Sequence, residues 1–162
     1  MDFALTEHQR SIDESVRRVC GRFEYAYWLD HDRSGDFPIE FRQAMTEGGW
    51  LGIAMPERYG GAGLGITEAA VLMHAVTDSG GAMSAASTIH INIFGPHPIV
   101  VYGSEAQRER WLPPLIAGSE IACFAVTEPD AGLDTGNLTT VSYTHLRAHE
   151  TRHDLVCRLL LE

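Results

Sequence analysis

Residues 103–127 read G-S-E-A-Q-R-E-R-W-L-P-P-L-I-A-G-S-E-I-A-C-F-A-V-T, and within this stretch one kind of structure gives way to another. Ser104 followed three residues later by Gln107 is a capping box, in which each side chain satisfies the other's free backbone N–H at a helix start. The run E-A-Q-R-E-R-W-L predicts a helix, terminated by Pro113-Pro114 because proline lacks the amide donor. After Gly118, Ile121-Ala122-Cys123-Phe124-Ala125-Val126-Thr127 is short, apolar and closed by Pro129, the pattern of a buried strand. Such a strand must be paired, and the only downstream candidate is a weak one, Val141 to Tyr143.

Upstream, the chain reads as helices. Thr6 and Gln9 form a second capping box, and Ile12, Val16, Val19 and Phe23 recur at helical spacing, predicting a first helix from about Thr6 to Tyr27. Pro38 suits a first helical turn, Phe41 and Met45 share a face, and Gly48-Gly49 ends that short helix in the left-handed geometry glycine tolerates. The glycine-rich run after Trp50, L-G-I-A-M-P-E-R-Y-G-G-A-G-L-G, predicts a compact loop. Thr67 then caps Glu68 to Thr77, which Gly80-Gly81 stops; further helices are expected over Ser84 to Ile93 and from Pro96 through Tyr102. The first 118 residues therefore read as a helical domain of five or six helices, and the fold class as mainly α with one strand beginning a second domain.

Composition narrows the function classes. A chain of 162 residues with 44% hydrophobic and 21% charged residues can bury a core of about one domain. Its net charge of −10 argues against nucleic acid and against docking on anionic lipid, both of which need a basic surface. All twelve basic residues are arginine, which points to a GC-rich, bacterial-type genome. The three cysteines, Cys20, Cys123 and Cys157, show no paired spacing, and no apolar run reaches the roughly 18 residues of a membrane span. With no basic leader after Met1, a cytoplasmic location is expected.

Three motifs in register, M-P-E-R-Y-G-G-A-G-L, G-S-E-A-Q-R-E-R-W-L-P-P-L-I-A-G-S-E and F-A-V-T-E-P-D-A-G-L-D, resemble the N-terminal part of the acyl-CoA dehydrogenase family from about residue 3 to residue 140. The resemblance implies a helical N-terminal domain (1–118), the start of a middle β-domain (119–140), and FAD as cofactor. It implies α,β-dehydrogenation of acyl-CoA thioesters: a carboxylate base takes the α-proton while the β-hydrogen leaves as hydride to the flavin. By the same resemblance, backbone groups of Phe124 and Val126 face the flavin, Thr127 offers its amide and hydroxyl near the reactive nitrogen, and Gly132 permits close approach. Leu133 departs from the serine many members carry, which removes a hydroxyl contact and bears on the acyl pocket. The family's base would lie in a C-terminal part, so no residue here is assigned as catalytic, and the chain as it stands is expected neither to hold flavin tightly nor to oxidise acyl-CoA. Members are commonly homotetramers with an electron-transfer flavoprotein as acceptor. His90 and His97 are read as packed or surface residues, Arg108 and Arg110 as a solvated helix face, and the loop glycines as turn geometry, since no G-K-[ST] follows.

Residues 141–162 break the pattern. They hold His145, His149 and His153, and His149-Glu150-Thr151-Arg152-His153 spells the zinc-hydrolase motif H-E-x-x-H. A third downstream ligand has little room before Glu162, and no sheet edge precedes the motif, so no metal ligand is assigned. V-S-Y-T-H-L-R-A-H-E-T is similar to the translation of a transposon-end sequencing adapter, so the segment is expected to be a non-native tail, disordered or an adventitious helix. A small zinc hydrolase and a stand-alone helical interaction module are the competing functional classes.

Overall fold

The computed structural model describes residues 4–123, 127–129 and 132–137. Thr6 opens α1 (Glu7–Cys20) as expected: its hydroxyl accepts the Gln9 amide at 3.2 Å while the Gln9 side chain accepts the Thr6 amide at 3.0 Å. The helix buries Ile12, Val16 and Cys20, four residues apart, so one stripe faces the core. Burying a side chain such as Val16 stabilises the fold by about 1.5–3 kcal/mol.

The single long first helix is corrected here. The chain turns after Gly21, with the Arg22 and Phe23 amides donating to Val19 and Cys20 at 3.1 and 3.0 Å, and restarts as α2 (Tyr25–Ser34). The break is stabilised by aromatic packing that one continuous rod would forbid. Phe23, Trp28 and Phe41 meet edge-on or tilted, with centroids 4.9–6.5 Å apart, and the Trp28 indole donates to the Phe23 carbonyl at 3.1 Å. After Gly35, α3 (Ile39–Glu47) starts behind Pro38 and ends before Gly48-Gly49, where Gly49 takes the left-handed conformation. The glycine-rich run is a loop holding two short 3-10 turns, Trp50–Gly52 and Glu57–Tyr59.

α4 (Ile66–Thr77) begins behind Gly65, not Thr67. The Glu68 carboxylate, three residues on, accepts the Gly65 amide at 3.1 Å, which places the cap two residues earlier than the hydroxyl suggested. α5 (Ala82–Phe94) and α6 (His97–Tyr102) lie where expected. α7 (Glu105–Ile116) carries the Ser104/Gln107 capping box at its start, but Pro113 and Pro114 do not terminate it. The helix continues through them to Ile116, about one turn from Pro113, because Leu112 and Leu115 are buried on its core face, while Glu109, whose carbonyl is deprived of a donor by Pro113, sits on the solvent side. The described residues thus hold seven α-helices where five or six were expected.

Residues up to Ile121 form one compact body and those from Ala122 a second. In the first, α1 packs on α4 and α4 on α5, with Phe41, Met45, Leu51, Leu72, Val76 and Ile89 at the centre. α1 and α4 run in the same direction, tied near their starts by Gln9 to Glu68 at 2.9 Å and near their ends by Arg17 to Asp78 at 2.7 Å. Of the expected strand, Ile121 at the end of the first body and Ala122, Cys123 and Thr127 of the second lie in no regular element, Glu128 forms a single bridge, and residues 124–126 are outside the described set. A short 3-10 turn, Thr135–Asn137, follows.

Candidate functional site

The site expected from sequence lies just beyond α7, and the structure shows how the helical body ends. Gly118 adopts φ +69°, and a Cβ there would lie 2.7 Å from the Thr46 hydroxyl oxygen, so this exit turn both needs the left-handed conformation and packs directly on α3. The Gly118 and Glu120 amides donate back to the Leu115 and Pro114 carbonyls at 3.3 and 3.2 Å. Two side chains from other helices reach the same turn. Arg42, on α3, donates from Nη1 to the Gly118 carbonyl at 2.7 Å and from Nη2 to the Glu120 carbonyl at 3.2 Å. Asn92, on α5 and buried, donates its amide to the Leu115 and Glu120 carbonyls, both at 3.0 Å. Arg110 adds a contact to the Glu120 carboxylate at 3.4 Å.

Burial lowers the Arg42 pKa, because a desolvated guanidinium is less favourable charged. Its Nε is buried with no hydrogen-bond partner among the described residues, a cost the two Nη bonds to carbonyls offset. Sequence reasoning missed both Arg42 and Asn92. The available signal was Asn92 itself, an amide amid the apolar residues of Ile89 to Phe94, which a buried helix face tolerates only with partners.

Of the residues expected at the cofactor, Phe124 and Val126 lie outside the described residues. Thr127, Gly132 and Leu133 are exposed, Leu133 wholly so. A Cβ on Gly132 would meet nothing within 4 Å, so no described residue makes the close approach for which glycine was invoked. His145, His149 and His153 also lie outside the described residues, and among the described ones no cluster of three or more histidine, cysteine or acidic side chains could hold a metal.

Other sequence readings fall out plainly. A ring nitrogen of half-buried His90 lies 3.2 Å from the Ala86 carbonyl, and His97 is exposed. Arg108 is not simply a solvated face residue: its guanidinium reaches the Ile99 and Val101 carbonyls at 3.4 and 3.3 Å, closing the end of α6. Arg110 stacks over Trp111 at 4.3 Å from the ring centroid. The loop after Trp50 is pinned to the start of α7 by Arg58 and Tyr59, whose guanidinium and hydroxyl donate to Glu105 at 2.8 and 3.0 Å.

Residues 6–119, the helical body and its exit turn, match the model of the acyl-CoA dehydrogenase N-terminal domain. The chain belongs to the acyl-CoA dehydrogenase family. Among its curated relatives is an acryloyl-CoA reductase (NADH) from Anaerotignum propionicum, 34% identical over 151 residues, covering 93% of this chain and 38% of that protein. Coverage that wide runs past Thr140 into the segment read as a non-native tail. Among solved structures, a glutaryl-coenzyme A dehydrogenase in complex with glutaryl-CoA superposes with a TM-score of 0.78 at 28% identity, over 85% of this chain and 36% of that one. An acyl-CoA dehydrogenase from Bacillus anthracis complexed with FAD gives a TM-score of 0.67 at 27% identity, over 83% of this chain and 23% of that one. The chain therefore spans well under half the length of these acyl-CoA dehydrogenases and their kin.

Proposed function

We propose that this chain supplies the N-terminal helical domain, residues 1–118, and the start of the middle domain, 119–140, of an FAD-dependent enzyme acting across the α and β carbons of acyl-CoA thioesters. The observation that carries the reading is the family match across residues 6–119 on a body whose last turn hands the chain directly to F-A-V-T-E-P-D-A-G. The names of the relatives cover both directions of one reaction, since removing hydrogen from a saturated thioester and adding it to an unsaturated one differ only in which side the electrons enter. Dehydrogenation is the direction we assign, with an electron-transfer flavoprotein as acceptor and a homotetrameric, cytoplasmic assembly.

The residues present fit FAD in part. Exposed Thr127 offers hydroxyl and amide donors of the kind a flavin edge accepts, and nothing described crowds Gly132. Leu133 contributes no donor, so no hydroxyl contact to FAD is expected there. When bound, the flavin would supply the hydride chemistry, and this chain would supply hydrogen-bond donors that orient it. Residues 124–133 are one segment of such a site, and in the 162-residue chain alone they are not expected to retain the cofactor.

Flavin retention tests this reading. In a protein carrying these residues joined to the remaining length found in the relatives, Thr127→Val should weaken FAD binding several-fold, as expected for a lost hydrogen bond of about 1 kcal/mol. An unchanged FAD dissociation constant would remove Thr127 from the site. The purified 162-residue chain should be colourless, and stoichiometric yellow absorbance from it would contradict the partial-site reading.

A further inference from the structure

We infer that Arg42 and Asn92 are positioning residues that hold the exit turn Gly118–Glu120 in place at the end of the helical body, shortly before the segment that begins at Phe124 in sequence. The inference deepens the flavin reading and rests on it in naming what the fixed segment serves.

The ordinary role for a side chain at a helix end is to satisfy the last carbonyls. Asn92 does so for Leu115, within the final turn of α7. Its second bond, to the Glu120 carbonyl, and both Arg42 bonds, to the Gly118 and Glu120 carbonyls, fall beyond Ile116, where α7 has ended and nothing in the helix needs them. Glu120 thus receives donors from α3 and α5 on one carbonyl oxygen and from Arg110 of α7 on its carboxylate, so three helices converge on one residue at the end of the body. Asn92 achieves this from a position 3% exposed, where an apolar side chain would pack without a desolvation cost. A buried amide held at both its hydrogens specifies geometry more than it adds stability. Gly118, left-handed and seated on Thr46 of the same helix as Arg42, allows the turn to lie close enough for the fork to reach two carbonyls. Lysine, with a point charge in place of a planar fork, cannot reproduce that pairing.

Two measurements test the inference. The first is hydrogen exchange on the 162-residue chain with Arg42→Lys, Arg42→Met and Asn92→Leu. Exchange at the Gly118 and Glu120 amides should rise about tenfold or more in Arg42→Met, and less in Arg42→Lys, while amides in α1 and α4 keep the parent rates. A uniform rise across α1, α4 and the exit turn would mean general destabilisation and would overturn the inference. Should Asn92→Leu fail to fold, the partly exposed Arg42 variants decide the point alone. The second measurement is the visible circular dichroism of bound FAD in the protein of family length. A changed flavin signal in Arg42→Met, with unchanged melting temperature, supports positioning. Flavin bound with an unaltered signal overturns it and leaves the flavin reading intact, whereas absence of flavin from the parent protein overturns that reading and, with it, the role assigned to the clamp.

Discussion

At the scale of single residues, Thr6 with Gln9, and Ser104 with Gln107, close capping boxes that satisfy the free amides at the starts of α1 and α7. Ser104→Ala should therefore cost about 1 kcal/mol in urea denaturation, the usual value of an N-cap. Both boxes were legible in the sequence because each is closed by near neighbours, whereas Arg42 was not, because its partners lie some 76 positions away. Gly61 was read only as part of a turn, yet its Cβ site is filled by the backbone of Met55. Gly61→Ala must move that backbone and is expected to destabilise by about 1–3 kcal/mol in the same measurement. An unchanged urea midpoint would show that the loop yields freely. Cys20 is buried, and burial holds its thiol pKa above the ordinary value, so it should resist thiol reagents in the native state. With Cys123 and Cys157 replaced by serine, modification of Cys20 should follow global unfolding; rapid labelling of the native protein would contradict its placement.

Between elements, the pairing of α1 with α4 sets the response to acid. The Gln9 amide, followed by the Glu68 backbone and the Gly65 amide, holds the Glu68 carboxyl below its ordinary 4.5, and Arg17 holds Asp78 below its ordinary 3.8. A carboxyl lowered in the folded state stabilises fully above its unfolded pKa and loses that contribution as pH falls through the folded value. Stability should thus decline below about pH 4.5, and Gln9→Ala should make the decline shallower. An identical acid limb in parent and variant would remove this contact from the account. The Arg17–Asp78 ion pair is exposed, so added salt should shrink its share of the effect, while the part-buried Gln9–Glu68 contact, with a neutral donor, should respond less. Helix positions were mostly readable from apolar spacing, whereas the α1–α2 break and the passage of α7 through Pro113-Pro114 were not. In both places tertiary packing decided the outcome: aromatic clustering around Phe23 and Trp28 in one, burial of Leu112 and Leu115 in the other.

For the whole molecule, the family was legible from three motifs in register, and its helical domain is the fold observed over residues 6–119. The residues proposed to contact the cofactor were legible only through that resemblance, because backbone donors leave no mark on composition. The zinc motif is a short pattern with chemical meaning that lies outside the described residues. At this scale the proposal is that these residues serve a flavin-dependent acyl-CoA enzyme. Its most direct test is the visible spectrum of a protein carrying residues 1–140 joined to the remaining length of the relatives, recorded anaerobically before and after addition of an acyl-CoA such as glutaryl-CoA or a short-chain thioester. A flavin spectrum that bleaches as the thioester is oxidised is the expected result; a folded protein that binds no flavin, or whose flavin is unmoved by every acyl-CoA offered, would contradict the proposal.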